Sequence, residues 1–242
     1  QGLVKCPAPT WKLGASSISH NKKESTLTFK NVLFYMWNTP VFYLPFFKNH
    51  IDKSGNKSGF LIPKFGSSSY LGSVFQFPYL LKFNDYNDLT LTPMFTSERG
   101  DLLKAEYRTN YKYGTSITNA SYKNKYKEDS RRWYIKTKNY FEIDDVWRGY
   151  ANIEKVSDDT YLRLYNSSYD PWLLSKIGLE GSWQRSYFTI DVQSYQDLRN
   201  IPNEYVSQTF PVINYQNTTE PNDIGGYLKF NLHSANIIQD YA

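Results

Sequence analysis

Few residues in this chain have the types and spacing that catalysis requires. Two carboxylate pairs, Asp144-Asp145 and Asp158-Asp159, come nearest to an acid/base couple. Adjacent side chains on a strand point to opposite faces, so neither pair can share a proton across a cleft. Both pairs are expected at turns. A glycosidase needs two acids facing each other, and nothing in the sequence selects such a couple. His20, His50 and His233 are far apart, and none lies near Cys6, the one cysteine. No metal site is expected, and no disulfide framework within the chain. The sequence has no Gly-x-Ser-x-Gly elbow, Walker loop or dinucleotide fingerprint. Asn56, Asn119, Asn166 and Asn217 open Asn-x-Ser/Thr sequons, which are common by chance.

The distinctive chemistry is proline inside strand-like runs. WNTPVFYLPFF, KSGFLIPKFG, LGSVFQFPYL and NDLTLTPMFTSERGDLLKAEYR follow one another from Trp37 to Arg108. Strands exclude proline because it lacks the N–H that a ladder uses. Pro63 and Pro78 interrupt two successive runs at nearly the same depth. They mark either a deliberately weak seam in a wall of strands or an ordinary bulge or rim.

The elements around them read as β throughout. Aromatics are 18% of the chain, with 22 Tyr, 15 Phe and 6 Trp, yet the mean hydropathy is −0.61. That combination fits a transmembrane barrel with aromatic girdles or a secreted β-sandwich or glycan binder. The net charge of +5 is spread along the strands, with no nucleic-acid stripe. Alternation is clearest from Leu102 to Tyr113. Leu103, Ala105, Tyr107, Thr109, Tyr111 and Tyr113 form one face, and Leu102, Lys104, Glu106, Arg108, Asn110 and Lys112 the other. The run matches the ~9–11 residues of a tilted membrane strand. Leu89, Leu91, Pro93 and Phe95 alternate in the same way with Asp88, Thr90, Thr92, Met94 and Thr96, as does the segment Gln184 to Val192.

Shorter strands are expected at Trp11 to Ile18, Thr26 to Tyr35 and Thr39 to Phe46. The polar, Gly-rich stretch Asn49 to Ser58 is the candidate boundary. Gly100-Asp101 and Lys112 to Gly114 sit where hairpin turns are needed. Asn119 to Ser130, Asn200 to Gln208 and Gln216 to Asp223 read as longer loops. Helical periodicity is weak throughout. The apolar stretch Val32 to Phe47 is too short and too broken for a transmembrane helix. With no Met at Gln1 and no obvious terminal strand at Ala242, the chain is expected to be a piece of a longer protein.

A series of motifs is spread over almost the whole chain. It begins with Cys6 before Thr10-Trp11, Pro40-Val41-Phe42-Tyr43-Leu44-Pro45-Phe46, Ser58-Gly59-Phe60-Leu61-Ile62-Pro63, and Phe77-Pro78-Tyr79. Then follow Asp88 to Pro93, Gly100 to Arg108, Ser130-Arg131-Arg132-Trp133, Asp145-Val146-Trp147-Arg148, and Val156 to Tyr161. Leu173-Leu174-Ser175 and Gln196-Asp197-Leu198-Arg199 complete the series. In identity and order these motifs resemble those of the LptD family of lipopolysaccharide-assembly proteins. The chain departs from the family pattern in the linker at His50-Ile51-Asp52 and at Leu80-Leu81.

The resemblance implies an all-β protein of the Gram-negative outer membrane. Residues 1–50 would be the last strands of a periplasmic β-jelly-roll, 51–58 a linker, and 59–242 the first part, about nine or ten strands, of an incomplete transmembrane β-barrel. It implies transport, with no enzyme activity and no cofactor. Lipopolysaccharide would pass from a jelly-roll groove through a lateral gate to the outer leaflet. Pro63, Pro78 and Leu61 would lie at the gate, and Phe42, Tyr43, Phe46 and Phe47 at the groove junction. Cys6 would be oxidised to a cysteine outside the chain. The implied partners are lipopolysaccharide, the plugging lipoprotein LptE, the periplasmic LptA bridge and outer-membrane lipid. A passive porin or receptor barrel is the alternative from another class.

Overall fold

A computed structural model of the chain describes residues 11–22, 26–36, 38–50, 58–127, 130–166, 168–199, 206–221 and 223–239. The described residues form two antiparallel sheets and one short helix, so the chain is all-β. In the smaller sheet, β3 (Thr26–Met36) pairs with β1 (Trp11–Gly14), β2 (Ser17–Asn21) and β4 (Thr39–His50). The expected single strand from Trp11 to Ile18 is thus two strands. β4 also runs to His50, past the boundary expected at Asn49. Asn31 has a φ of 48° and stands opposite Pro45, in a gap in the ladder between Lys30↔Phe46 and Val32↔Leu44.

The larger sheet is a meander that starts with four short pieces. These are β5 (Gly59–Phe60), β6 (Lys64–Ser68), β7 (Gly72–Gln76) and β8 (Tyr79–Lys82). β9 (Asn87–Thr96), β10 (Leu102–Tyr111), β11 (Gly114–Lys123), β12 (Arg132–Glu142) and β13 (Trp147–Val156) come next. The helix α1 (Tyr161–Tyr165) precedes β14 (Trp172–Trp183), β15 (Ser186–Asp197), β16 (Gln208–Thr218) and β17 (Lys229–Ile238). Joining β5 to β6 and β7 to β8 across their breaks reduces the thirteen strands of this sheet to eleven, more than the nine or ten expected.

Part of that excess is β11, which takes in Asn119 to Lys123, expected as loop. β16 likewise continues to Thr218. In β11 Thr118 and Ala120 on one face and Asn119 and Ser121 on the other differ little in hydropathy, so the chain carries no clear apolar alternation there to read. The sheet is curved and open, with β17 at one edge and the first strand at the other.

Its two faces differ as a transmembrane barrel wall does. The convex face carries Phe95, Leu103, Tyr122, Trp133, Ile177 and Leu179, all more than two-fifths exposed. The concave face carries charge and amide: Arg108 pairs with Asp88 at 2.8 Å, Lys136 with Glu154 at 2.8 Å, and the Tyr150 hydroxyl donates to Asp191 at 3.0 Å. Lys112-Tyr113 and Gln184-Arg185 are tight turns at one end of the sheet, which also holds the connection 219–228, and 124–131 and 157–171 are longer connections at the other, which also holds the short turn 69–71. The segment leading from the small sheet enters at the tight-turn end, because Gly59 sits beside Leu80.

At the long-loop end α1 folds onto the concave face. Tyr161, Leu162 and Tyr165 pack with Leu71, Met94, Leu102, Val156 and Leu173 into the sheet's apolar core. The buried Tyr161 hydroxyl lies 2.6 Å from Ser121 Oγ. Among the described residues no helix is long and apolar enough to cross a membrane, which says nothing of strands that cross.

Candidate functional site: the breaks in the first strands

Against β9, β7 and β8 keep one register straight through the interruption at Phe77-Pro78. Between the first two strands the register slips by one residue: Phe60 faces Tyr79, but Lys64 faces Gln76. Ile62 and Pro63 together therefore oppose Phe77 alone, which is a β-bulge. The Leu61 N–H donates to the Pro78 carbonyl at 2.9 Å, and the Phe77 N–H donates to the Pro93 carbonyl at 3.1 Å. In an antiparallel ladder such pairs exchange two bonds. Here each has one, because proline has no N–H to return. One missing bond lies between the first and second strands, and the other between the second and third.

Pro93 is the member of this set that sequence reading passed over as one apolar residue in an alternating face. The signal was the equal interval separating Pro63, Pro78 and Pro93. Pro63 contributes differently from the other two, by occupying the bulge.

The bulge matters because a one-residue slip exchanges the faces of a strand. Leu61 and Lys64 both line a concave-side cavity of about 530 Å³, together with Pro78, Gln76, Thr92 and Lys104. Pro63 instead lines a narrow apolar cavity of about 30 Å³ between the small sheet and the convex face, with Val32, Phe34, Phe47, Phe75 and Phe77. Of the three residues expected at the gate, Leu61 and Pro78 are thus hydrogen-bonded partners on the polar side, and Pro63 sits on the apolar side.

A path of aromatic rings connects the two sheets along that apolar side. Phe29 lies 5.6 Å from Phe47, Phe47 5.7 Å from Phe60, and Phe60 4.7 Å from Phe77, centroid to centroid. Phe77 continues to Phe75 at 5.9 Å and Phe75 to Phe95 at 6.2 Å. A second link enters through Phe34, stacked on Phe65 at 4.5 Å, with Phe65 4.7 Å from Phe75. These separations are those of favourable aromatic pairs.

Of the residues expected at the groove junction, Phe47 is in this path. Phe46 is 68% exposed on β4. Tyr43 is also exposed, and its hydroxyl donates to Asn31 Oδ1 at 2.8 Å. Phe42 pairs with Phe34 through the backbone. Cys6 lies outside the described residues.

The carboxylate pairs are occupied in turn chemistry. Asp144 Oδ1 accepts the Val146 and Trp147 N–H groups at 2.8 and 2.7 Å. Asp158 Oδ1 accepts the Thr160 N–H at 3.1 Å and faces Arg132 at 3.3 Å.

Residues 130–240 match the family model for LPS transport system D, LptD. The chain is 25% identical over 244 residues to the LPS-assembly protein LptD of Pseudoalteromonas atlantica, a match covering 96% of this chain and 31% of that protein. It is 29% identical over 201 residues to the protein of the same name from Marinobacter nauticus, covering 78% of this chain and 25% of that one. For Idiomarina loihiensis the figures are 30% over 174 residues, 69% and 23%. The chain therefore spans less than a third of the length of these relatives. With this much of its length in register with relatives of one name, on an all-β scaffold with an apolar convex and a polar concave face, the chain belongs to the LptD family.

Proposed function

We propose that this chain carries lipopolysaccharide from a periplasmic groove to the outer leaflet of the outer membrane, through a lateral gate at the first barrel strands. The observation that carries the reading is the back-to-back arrangement at the breaks. An aromatic path runs from the small sheet onto the convex face, and a polar cavity lies on the other side of the same two strands. A lipid-linked saccharide has the matching division. Exposing acyl chain to water costs about 0.8 kcal/mol per CH₂, so the chains need a dry route along one face. The sugars keep their hydrogen bonds on the other. Pro78 and Pro93 thin the ladder where the molecule must part the wall.

In this reading residues 1–50 are the end of the jelly-roll, 51–58 the linker and 59–242 the first part of the barrel. The small sheet joins at the tight-turn end, which is the periplasmic end in outer-membrane barrels. Pro63, Pro78 and Leu61 form the gate with Pro93, and Phe47 is the junction residue on the lipid route. The protein acts as a transporter and not as an enzyme. It works with the LptE plug, the LptA bridge and outer-membrane lipid, and Cys6 is oxidised to a cysteine outside this chain. A porin or receptor barrel has no use for an aromatic path leading to a thinned seam.

The test is photo-crosslinking in the complete protein in living cells. The probe replaces Phe77 on the path, with Tyr122 on the convex face further along the wall as control. Lipopolysaccharide capture at Phe77 and not at Tyr122 is expected. Equal capture at both would reduce the path to general lipid contact and overturn the reading.

A further inference from the structure

The concave cavity beside the breaks holds two cations that, among the described residues, have no carboxylate within ion-pair distance. Lys64 stands on the first strand and Lys104 on the fourth, and both line the cavity. The other cations that line it are already paired: Arg108 with Asp88 at 2.8 Å and Lys136 with Glu154 at 2.8 Å. Lys104 Nζ donates only to the Tyr165 carbonyl, at 3.3 Å. Among the described residues neither Lys64 nor Lys104 has an acid within ion-pair distance. Lys64 and Lys104 thus bring like charge to one cavity.

The floor includes the neutral, polar Gln76, Thr90 and Thr92, Glu106 also lines the cavity and is held 3.6 Å from Arg108, and the rim at the break is apolar, made by Leu61 and Pro78. The same bulge that seats Pro63 among the phenylalanines turns Lys64 to this side. Two like charges held over a hydrogen-bonding floor in a partly enclosed cleft are relieved by one bound anion. Such sites favour oxyanions, which accept charge-assisted hydrogen bonds from ammonium groups.

We propose that Lys64 and Lys104 form a binding site for an anionic saccharide, one bearing phosphate or carboxylate, on the lumenal side of the gate. The site rests on the transport reading above and refines it. The acidic sugars nearest the lipid are held inside the wall, at the level of the breaks, while the acyl chains occupy the aromatic path outside. The neutral floor reads sugar hydroxyls, and the lysines read charge.

The test uses the complete protein in lipid nanodiscs, with three soluble probes: a phosphorylated glucosamine disaccharide, a 3-deoxy-ulosonic acid, and the unphosphorylated disaccharide. Binding of either acidic probe, weakened by salt and absent for the neutral sugar, is expected. A phosphate site takes the first acidic probe, a carboxylate site the second. Each charge-assisted hydrogen bond contributes about tenfold in affinity, so Lys64→Gln and Lys104→Gln should each weaken binding by about that factor. The arginine variants at both positions should retain binding, which separates loss of charge from loss of fold. Neutral and acidic probes binding alike, or glutamine variants binding as tightly as the parent, would overturn the site. Crosslinking at Phe77 in living cells, run on the same glutamine variants, keeps the two readings distinct. Capture at Phe77 that survives while acidic-probe binding shows no lysine dependence sinks the saccharide site alone. Capture at Phe77 and Tyr122 alike in the parent sinks the transport reading beneath it.

Discussion

Restoring the missing N–H groups at Pro78 and Pro93 should close the seam. Leu61 already donates to Pro78 at 2.9 Å and Phe77 to Pro93 at 3.1 Å, so each proline is half of a formed pair in register. Pro78→Val supplies an N–H directed at the Leu61 carbonyl, and Pro93→Val one directed at Phe77. Valine also suits a strand better than proline. A net ladder bond is worth about 0.5–1.5 kcal/mol, so the double variant gains about 1–3 kcal/mol against opening. That corresponds to roughly a 5- to 150-fold drop in the open population. Two readouts are needed, both on the complete protein in proteoliposomes. Amide hydrogen exchange at Phe60, Leu61, Phe77 and Tyr79 should slow by that factor. Lipopolysaccharide delivery, measured in a single turnover, should slow with it. Slowed exchange with unchanged delivery would refute the claim that these bonds control transport. Unchanged exchange would refute the bond arithmetic itself.

Two further substitutions probe the wall that must hold while the seam opens. Tyr161→Phe leaves the buried Ser121 hydroxyl without its 2.6 Å partner and should cost about 1–3 kcal/mol, read as a lower urea midpoint in detergent. Gly178→Ala sets a Cβ 2.5 Å from the Ile190 carbonyl oxygen and 2.6 Å from Asp191 Cβ. It should cost about 1–3 kcal/mol of overpacking and deplete the heat-resistant folded form on gels, whereas Gly66→Ala, with nothing within 4 Å of the added Cβ, should not.

The sequence made the fold class legible wherever one face of a strand is apolar and the other charged. β10 shows this best, since its two faces separate from Leu103 and Lys104 onward. β11 was unreadable on the same principle. Its concave residues Asn119 and Ser121 and its convex residues Thr118 and Ala120 do not differ enough in hydropathy to show a period. The helix α1 spans five residues, too few for a 3.6-residue repeat to register. The breaks at Pro63 and Pro78 were visible because proline is a local signal. That Pro63 lies in a bulge, and that Lys64 turns to the polar side with Leu61, depends on the register of the neighbouring strand. No window on one strand contains that information. The junction was read from one motif, but of Tyr43, Phe46 and Phe47, whose side chains are described, only Phe47 lies in the aromatic path. The ladder between β3 and β4 slips by one residue between Phe34 and Tyr35, an irregularity that depends on both strands and that no single motif contains.

The position of the thinned ladder follows from where the rest of the wall is strong. From β9 to β13, and again between β14 and β15, consecutive strands pair in long unbroken registers, with Leu102 to Tyr111 matched residue by residue against Gly114 to Lys123. Where β13 and β14 stop pairing, side chains take over. Ser175 Oγ accepts the Glu154 N–H at 3.1 Å, and Gln196 bridges both backbone groups of Val156 at 2.8 and 3.1 Å. The wall therefore repairs its own interruption at that point. At Pro78 and Pro93 the missing donor is the proline's own backbone N–H. Local opening follows the cheapest cooperative unit, and that unit is the first two strands, which are divided into short pieces and held across the breaks by single bonds. A uniformly strong wall would keep lipid and sugar on separate sides permanently. A wall weak everywhere would not stay folded under the unpaired edge that opening creates. In the proposed gate, confining the weakness to strands flanked by an aromatic path and the Lys64/Lys104 pair would tie the opening to a molecule that can satisfy both.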